Sequence, residues 1–267
     1  MFAVATLRRP DLESLGLQLR GQRVLVAGAS GDIGRALLQQ LAPHGVQLGA
    51  HYHENRSRLE ALAGELAWPA ERLQLLGGQL DGQASCHALV DAFVEWAGGI
   101  DALVQLTGTI ANPCSWEQLT EAEWLQDLNV NLSGPFFLAQ RAMPHMRENG
   151  GRVVLMSTAS AGHGGGRNSL AYGVAKAGIE CLTKGLARDG AAHNILVNAI
   201  APGFIDTQFH TRRARRDAEA MRKRAELIPL RRAGSPDDVA RLIVYLLSAG
   251  GDYITGERVS VSGGEWL

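Results

Sequence analysis

The sequence predicts an α/β domain built on a doubly wound, seven-stranded parallel sheet with helices on both faces. Seven short apolar runs alternate with longer stretches of helical periodicity, and the runs are apolar almost throughout rather than at every second position. A strand apolar on both sides is buried on both faces, which is the condition of a parallel sheet covered by helices. The first run also ends in a glycine-rich turn that opens a helix, where an open α/β sheet places its ligand.

Taken in order, the strands are read at RVLVAG (23–28), VQLGAHY (46–52), RLQLLGG (72–78), DALVQL (101–106), RVVLMS (152–157), ILVNAI (195–200) and RVSVSG (258–263). Helical periodicity fills the intervals in IGRALLQQLAPHG, SRLEALAGELA, SCHALVDAFVEWAG and PDDVARLIVYLLS. Right-handed crossovers then wind the helices onto both faces of the sheet and leave the carboxyl ends of the strands free for ligands. No internal repeat or low-complexity linker interrupts the pattern. Residues 1–21 read as a polar leader and 22–267 as the domain.

Composition excludes several function classes. The 267 residues are 46% hydrophobic and 20% charged with a formal net charge of −1, so no global field points to nucleic acid or an anionic membrane. No apolar run is long enough to span a bilayer. Cys86, Cys114 and Cys181 are scattered, share no metal-ligand spacing and fit a reducing compartment, so the expectation is a cytoplasmic protein with no metal.

Gly28, Ser30, Gly31, Ile33 and Gly34 form the turn between the first strand and its helix. Glycine allows the backbone to approach a ligand closely, and the helix N-terminus offers free N–H groups to an anion, which suits the pyrophosphate of a dinucleotide. An acid at the end of the second strand would hold the ribose of NAD, but that slot falls on Tyr52. His51, His53, Asn55, Arg56 and Arg58 surround it, with Arg56 the best candidate for bidentate contact with a 2′-phosphate. The expectation is NADP(H) in preference to NAD(H).

Tyr172 and Lys176 are spaced i, i+4, on one face if AYGVAKAGIECLTKGLARDG is helical. Lys176 is one of three lysines in a chain with 23 arginines. An ammonium beside a phenol stabilises the phenolate and lowers its pKa, while a compact lysine can also reach a ribose. Spacing alone leaves open an incidental surface pair.

The chain resembles a short-chain dehydrogenase/reductase over residues 22–264. The resemblance rests on ordered motifs: GASGDIG, Asp81 after the third strand, DALVQLTG, NVNLSG, VVLMSTAS, AYGVAK, NAIAPGFIDT and YITGERVSVSGG. It implies a Rossmann-like fold and an NAD(P)-dependent oxidoreductase that interconverts a carbonyl and a secondary alcohol by hydride transfer. By resemblance Tyr172 exchanges the proton with the carbonyl oxygen, Lys176 binds the nicotinamide ribose, and Asn131 holds a water for proton relay, with Asn129 the bland alternative. Asp81 would meet the adenine, Gly108 would border the cofactor, and Pro202, Gly203, Ile205 and Thr207 would line the nicotinamide side. Thr158 takes the place of the family's carbonyl-orienting serine, with Ser157 and Ser160 as runners-up. The resemblance also implies a homotetramer or homodimer; Trp116, Trp124, Phe136 and Phe137 read as core or interface, with core the default.

Three departures stand out. Asp32 occupies a position where the family places a glycine, an acid beside the expected pyrophosphate. Gln105, Leu106, Thr107 and Gly108 replace Asn-Asn-Ala-Gly. One residue is inserted between Thr158 and Tyr172. These departures frame a second reading, a catalytically silent relative serving as an oligomer partner or cofactor sensor.

Residues 207–232 follow the nicotinamide segment and read as a substrate lid with nine basic residues against three acids. They would guide a small anionic substrate such as a carboxylate, a CoA thioester or an acyl group on a carrier protein; the rival reading is a solvated helix with i, i+4 ion pairs. The C-terminal stretch is closest to 3-oxoacyl-carrier-protein reductases, although the arginines that dock the carrier there fall on Asn149 and His193.

Overall fold

The structure, a computed structural model, describes residues 17–19, 21–209 and 217–265. Residues 1–16 and 20 of the leader read at 1–21, and residues 210–216 of the segment read as a lid, with four of its arginines, lie outside the described residues. Seven strands form one parallel sheet in the order β3-β2-β1-β4-β5-β6-β7. They are β1 (Arg23–Ala27), β2 (Gln47–Tyr52), β3 (Leu73–Gly77), β4 (Ala102–Gln105), β5 (Gly151–Met156), β6 (Ile195–Pro202) and β7 (Arg258–Val261). All seven coincide with the apolar runs.

Strand periodicity sorts the core into two layers. Val24 and Val26 of β1, Ala102 and Val104 of β4, and Val154 and Met156 of β5 point to one layer. Leu25 and Ala27, Leu103, and Val153 and Leu155 point to the other. Helices α1 (Asp32–Leu41), α2 (Arg56–Glu65) and α8 (Pro236–Leu247) cover the first layer, with Leu37, Leu41, Ile243 and Leu247 fully or almost fully buried. Helices α3 (Gln83–Ala97), α5 (Gly134–Ala142) and α6 (Leu170–Gly190) cover the second, where Phe93 is the largest fully buried apolar side chain. Burial of these side chains stabilises each helix by about 1.5–3 kcal/mol per large residue.

Caps place the helix starts. Ser235 accepts from the Asp238 amide and Asp238 accepts from the Ser235 amide, with Pro236 at the first helical position of α8. Arg232 and the Ser235 amide hold the Asp238 carboxyl down at about 2. Thr120 and Glu123 form the same reciprocal cap on α4 (Glu121–Leu128). A π-helical turn, Asn129–Ser133, joins α4 to α5. Helix α7 (Ala218–Leu227) falls within the segment 207–232 that the sequence reads as a lid.

Of the four aromatics read as core by default, Phe137 is partly buried and packs against the second layer. Trp116 is 70% exposed, and Trp124 and Phe136 are only partly buried, while Asp127, Leu138 and Ala139 of α4 and α5 are buried. Among the described residues no helix is long and apolar enough to cross a membrane, and no cluster of His, Cys, Asp or Glu has the arrangement of a metal site.

Candidate active site

A cavity of about 770 Å³ opens at the carboxyl ends of the strands, where the sheet order reverses between β1 and β4. Gly28, Ser30, Gly31, Ile33 and Gly34 line one side of it. Gly28 has φ +86°, and a Cβ there would come within 3.0 Å of the Thr107 amide nitrogen, so this turn packs backbone against backbone. A Cβ on Gly34 would lie 2.5 Å from the Ala29 carbonyl. No side chain caps α1 at Gly31, which leaves first-turn amides to a ligand. These features fit the pyrophosphate of a dinucleotide.

The acid that departs from the family turn is neutralised. Asp32 Oδ1 accepts from Arg58 at 2.9 Å and Oδ2 accepts from the Gln208 amide at 2.7 Å. Its charge is thereby turned from the turn's free amides toward α2 and the start of the lid.

The residues at the end of β2 separate in an unexpected way. Arg56 does not line the cavity: it pairs with Glu60 at 2.8 Å, 61% exposed, as an ordinary i, i+4 helix pair. Tyr52 accepts from Arg56 at 3.5 Å, His53 is exposed beside Glu54, and Asp81 is exposed and accepts from Ser85; none of the three lines the cavity. Arg58 and Asn55 do. Helical rotation explains the exchange, because Arg58 lies two residues beyond Arg56 and so on another face of α2. His51 cannot meet a phosphate, because it is buried with both ring nitrogens engaged. Its Nδ1 accepts from the Gly28 amide at 3.1 Å and its Nε2 donates to the Gly78 carbonyl at 2.9 Å. Burial lowers its pKa, so the neutral ring ties the glycine turn to the end of β3.

On the opposite wall α6 presents Tyr172 and Lys176 one turn apart, with Lys176 Nζ 5.7 Å from the phenol centroid. Lys176 is 1% exposed and donates to the Met156 carbonyl at 2.9 Å. Ser157 is consumed beneath it, donating to the Lys176 carbonyl at 3.1 Å and to Glu180 at 2.9 Å. Thr158 is the hydroxyl whose nearness opposes the rise of the Tyr172 pKa, and its Oγ1 lies 3.2 Å from Ser160 Oγ and 3.5 Å from the Pro202 carbonyl oxygen. The geometry therefore favours Thr158 over both runners-up. Phe209, from the start of the lid, packs on the Tyr172 ring at 5.8 Å between centroids.

The electrostatics differ from the sequence-based expectation. Burial raises the Tyr172 pKa above that of a free phenol, the Asp127 charge adds to it, and the Thr158 hydrogen bond opposes both. Burial also lowers Lys176 to about 7. A desolvated lysine that titrates near neutrality stabilises a neighbouring phenolate less than a fully charged one does.

Asn131 does not line the cavity but is fully buried in the π-turn. It donates to the Thr109 carbonyl at 2.8 Å and accepts from the Thr109 amide at 3.1 Å. A Cβ on Gly108 would lie 3.3 Å from Asn131 Oδ1 and 3.7 Å from Lys176 Nζ, so both groups flank Gly108. Asn129 is exposed. Gln105 turns back to donate to the Thr107 carbonyl at 3.0 Å and also bonds the Thr107 hydroxyl, which shapes the altered segment after β4. Pro202, Gly203, Ile205 and Thr207 complete the wall.

Two cavity-lining residues had no signal in the sequence reading. Glu265 accepts from Arg224 of α7 at 2.6 Å and from the Phe204 amide at 2.9 Å, joining positions 41 and 61 residues apart. Separations of that size carry no periodicity to read.

A family model described as enoyl-(acyl carrier protein) reductase matches residues 27–265. The chain is 33% identical over 252 residues to the 3-oxoacyl-[acyl-carrier-protein] reductase FabG of Aquifex aeolicus, covering 93% of this chain and 98% of that one. It is 34% identical over 246 residues to the acetoacetyl-CoA reductase of Rhizobium meliloti, covering 91% and 98%. Among solved structures, a short chain dehydrogenase from Burkholderia cenocepacia in complex with NADP superposes with a TM-score of 0.85 at 29% identity, covering 94% of this chain and 100% of that one. These matches lend no support to a silent relative. A glycine turn and a Tyr-Lys pair that line one cavity, in a chain matched along nearly its whole length by such reductases, identify it as a member of the short-chain dehydrogenase/reductase family, an NAD(P)-dependent oxidoreductase.

Proposed function

We propose that the protein reduces the ketone of a 3-oxoacyl thioester, carried on CoA or on a carrier protein, with NADPH. The observation that carries this reading is the convergence of Thr158, Tyr172 and Lys176 on the cavity wall facing the glycine turn. Relatives named for 3-oxoacyl-carrier-protein and acetoacetyl-CoA reduction support the substrate class. The NADP complex supports the cofactor, as does Arg58 at the rim of the cavity, where Asp32 shares it.

The bound nicotinamide supplies the hydride. The chain's own residues supply orientation and the proton. Thr158 donates to the carbonyl oxygen and sets it against the Tyr172 hydroxyl, which releases its proton to that oxygen as the alcohol forms. The raised pKa of the phenol keeps it protonated before reduction. Lys176, titrating near neutrality, is placed to hold the ribose and to return a proton toward Tyr172, with Asn131 also beside Gly108.

Four of the five described lid cations are paired with acids, Arg222 with Glu226, Lys223 with Glu219, Arg224 with Glu265 and Arg232 with Asp238, and the fifth, Arg231, donates to the Glu226 carbonyl. This favours the solvated-helix reading for the described part of the lid. The exposed Trp116 and Leu125, with the half-buried Phe136 and Phe137, support assembly into a homo-oligomer.

The test is reduction of acetoacetyl-CoA, followed by loss of NADPH absorbance. Tyr172→Phe is expected to lower kcat by at least about a hundredfold with NADPH binding retained. Full activity in that variant would remove Tyr172 from the chemistry.

A further inference from the structure

Glu123, Asp127 and Asn131 follow one another at intervals of four, on one side of α4 and the π-turn that extends it. Each holds one residue of the segment that leaves β4. Glu123 accepts from the Asn112 side chain at 2.8 Å, Asp127 accepts from the Ala111 amide at 2.8 Å, and Asn131 bonds both backbone groups of Thr109. Asn131 also donates to the Asp127 carbonyl at 2.9 Å, which links two rungs of this ladder. The segment so held supplies Gly108, Ile110 and Pro113 to the cavity wall.

The middle rung is the unusual one. Asp127 is 2% exposed, and among the described residues no cation pairs with it. A buried carboxylate without a counter-charge is unfavourable, and a threonine or asparagine would bond one amide at less expense in desolvation. We propose that Asp127 is a positioning residue for the reaction centre: it clamps the segment Thr109–Ala111 onto α4 and so holds Asn131 and Gly108 in place beside Lys176. This rests on the reading of Tyr172 as the proton donor only for its kinetic consequences; the clamp itself does not depend on it.

Two variants separate clamp from charge. Asp127→Asn retains an oxygen that can accept from Ala111 and removes the charge; Asp127→Leu removes both. Hydrogen exchange on the whole protein is expected to show the Thr109 and Ala111 amides protected in the wild type and in Asp127→Asn, and exposed in Asp127→Leu. With acetoacetyl-CoA, kcat is expected to fall about tenfold to a hundredfold in Asp127→Leu, with NADPH affinity nearly unchanged. In Asp127→Asn kcat is expected to stay within a few-fold of the wild type, because the accepting oxygen is retained. Unchanged protection of Thr109 and Ala111 in Asp127→Leu would overturn the clamp, as would equal loss of kcat in Asp127→Asn and Asp127→Leu. A wild type without turnover would sink the proposed substrate while leaving the exchange result to decide the clamp.

Discussion

At the scale of single residues, the site is decided by which way each side chain turns. Arg56 and Arg58 are two positions apart, yet one pairs with Glu60 in solvent and the other reaches the cavity rim at Asp32. If a 2′-phosphate is recognised here, Arg58→Ala is expected to weaken NADPH binding by about tenfold while sparing NADH, and Arg56→Ala to leave both almost unchanged. Fluorescence titration of both cofactors reads the difference, and equal losses for NADPH and NADH would remove Arg58 from phosphate recognition. Tyr172 and Lys176 show the same dependence on surroundings. Their spacing was legible in the sequence, but the direction of their pKa shifts was not, because burial outweighs the pairwise attraction that the spacing suggests.

At the scale of elements, the helices and strands carry function through what their ends hold. Asn131 is presented from a π-turn inserted between α4 and α5, a form of local widening that recurs at functional sites. Helix α7 is tied across the cavity mouth by the Arg224–Glu265 pair, only 25% and 11% exposed, with the Arg224 guanidinium 5.0 Å from the Phe204 ring centre. Glu265→Gln weakens that tie by removing the charge. Faster amide exchange is expected over Ala218–Leu227, with α6 unaffected. Exchange equal to the wild type would show that α7 is held by its other contacts. Such a pairing of chain segments is invisible in a single sequence, whereas the strands and the caps Ser235/Asp238 and Thr120/Glu123 lie in local patterns that can be read directly.

At the scale of the whole molecule, two apolar layers hold one sheet, and the cavity lies where the strand order reverses. Phe93 anchors the second layer, fully buried against β2 at Gly49, where a Cβ would come within 2.4 Å of its ring. Phe93→Ala is expected to destabilise the fold by about 3–5 kcal/mol in urea unfolding; a loss under about 1 kcal/mol would show that the layer collapses around the missing ring.

By itself the sequence determined the seven strands, their burial on both faces, the glycine turn, and the Tyr172–Lys176 pair. Each of these is encoded within a few neighbouring residues, by period, by composition or by a fixed offset along one helix. Only the tertiary structure decided that Thr158 is the hydroxyl beside Tyr172, that Arg58 stands at the rim in place of Arg56, that His51 braces the glycine turn, and that Asp127 clamps the wall. Those outcomes depend on contacts between segments far apart in the chain and on how much water each group loses, and neither quantity is written locally.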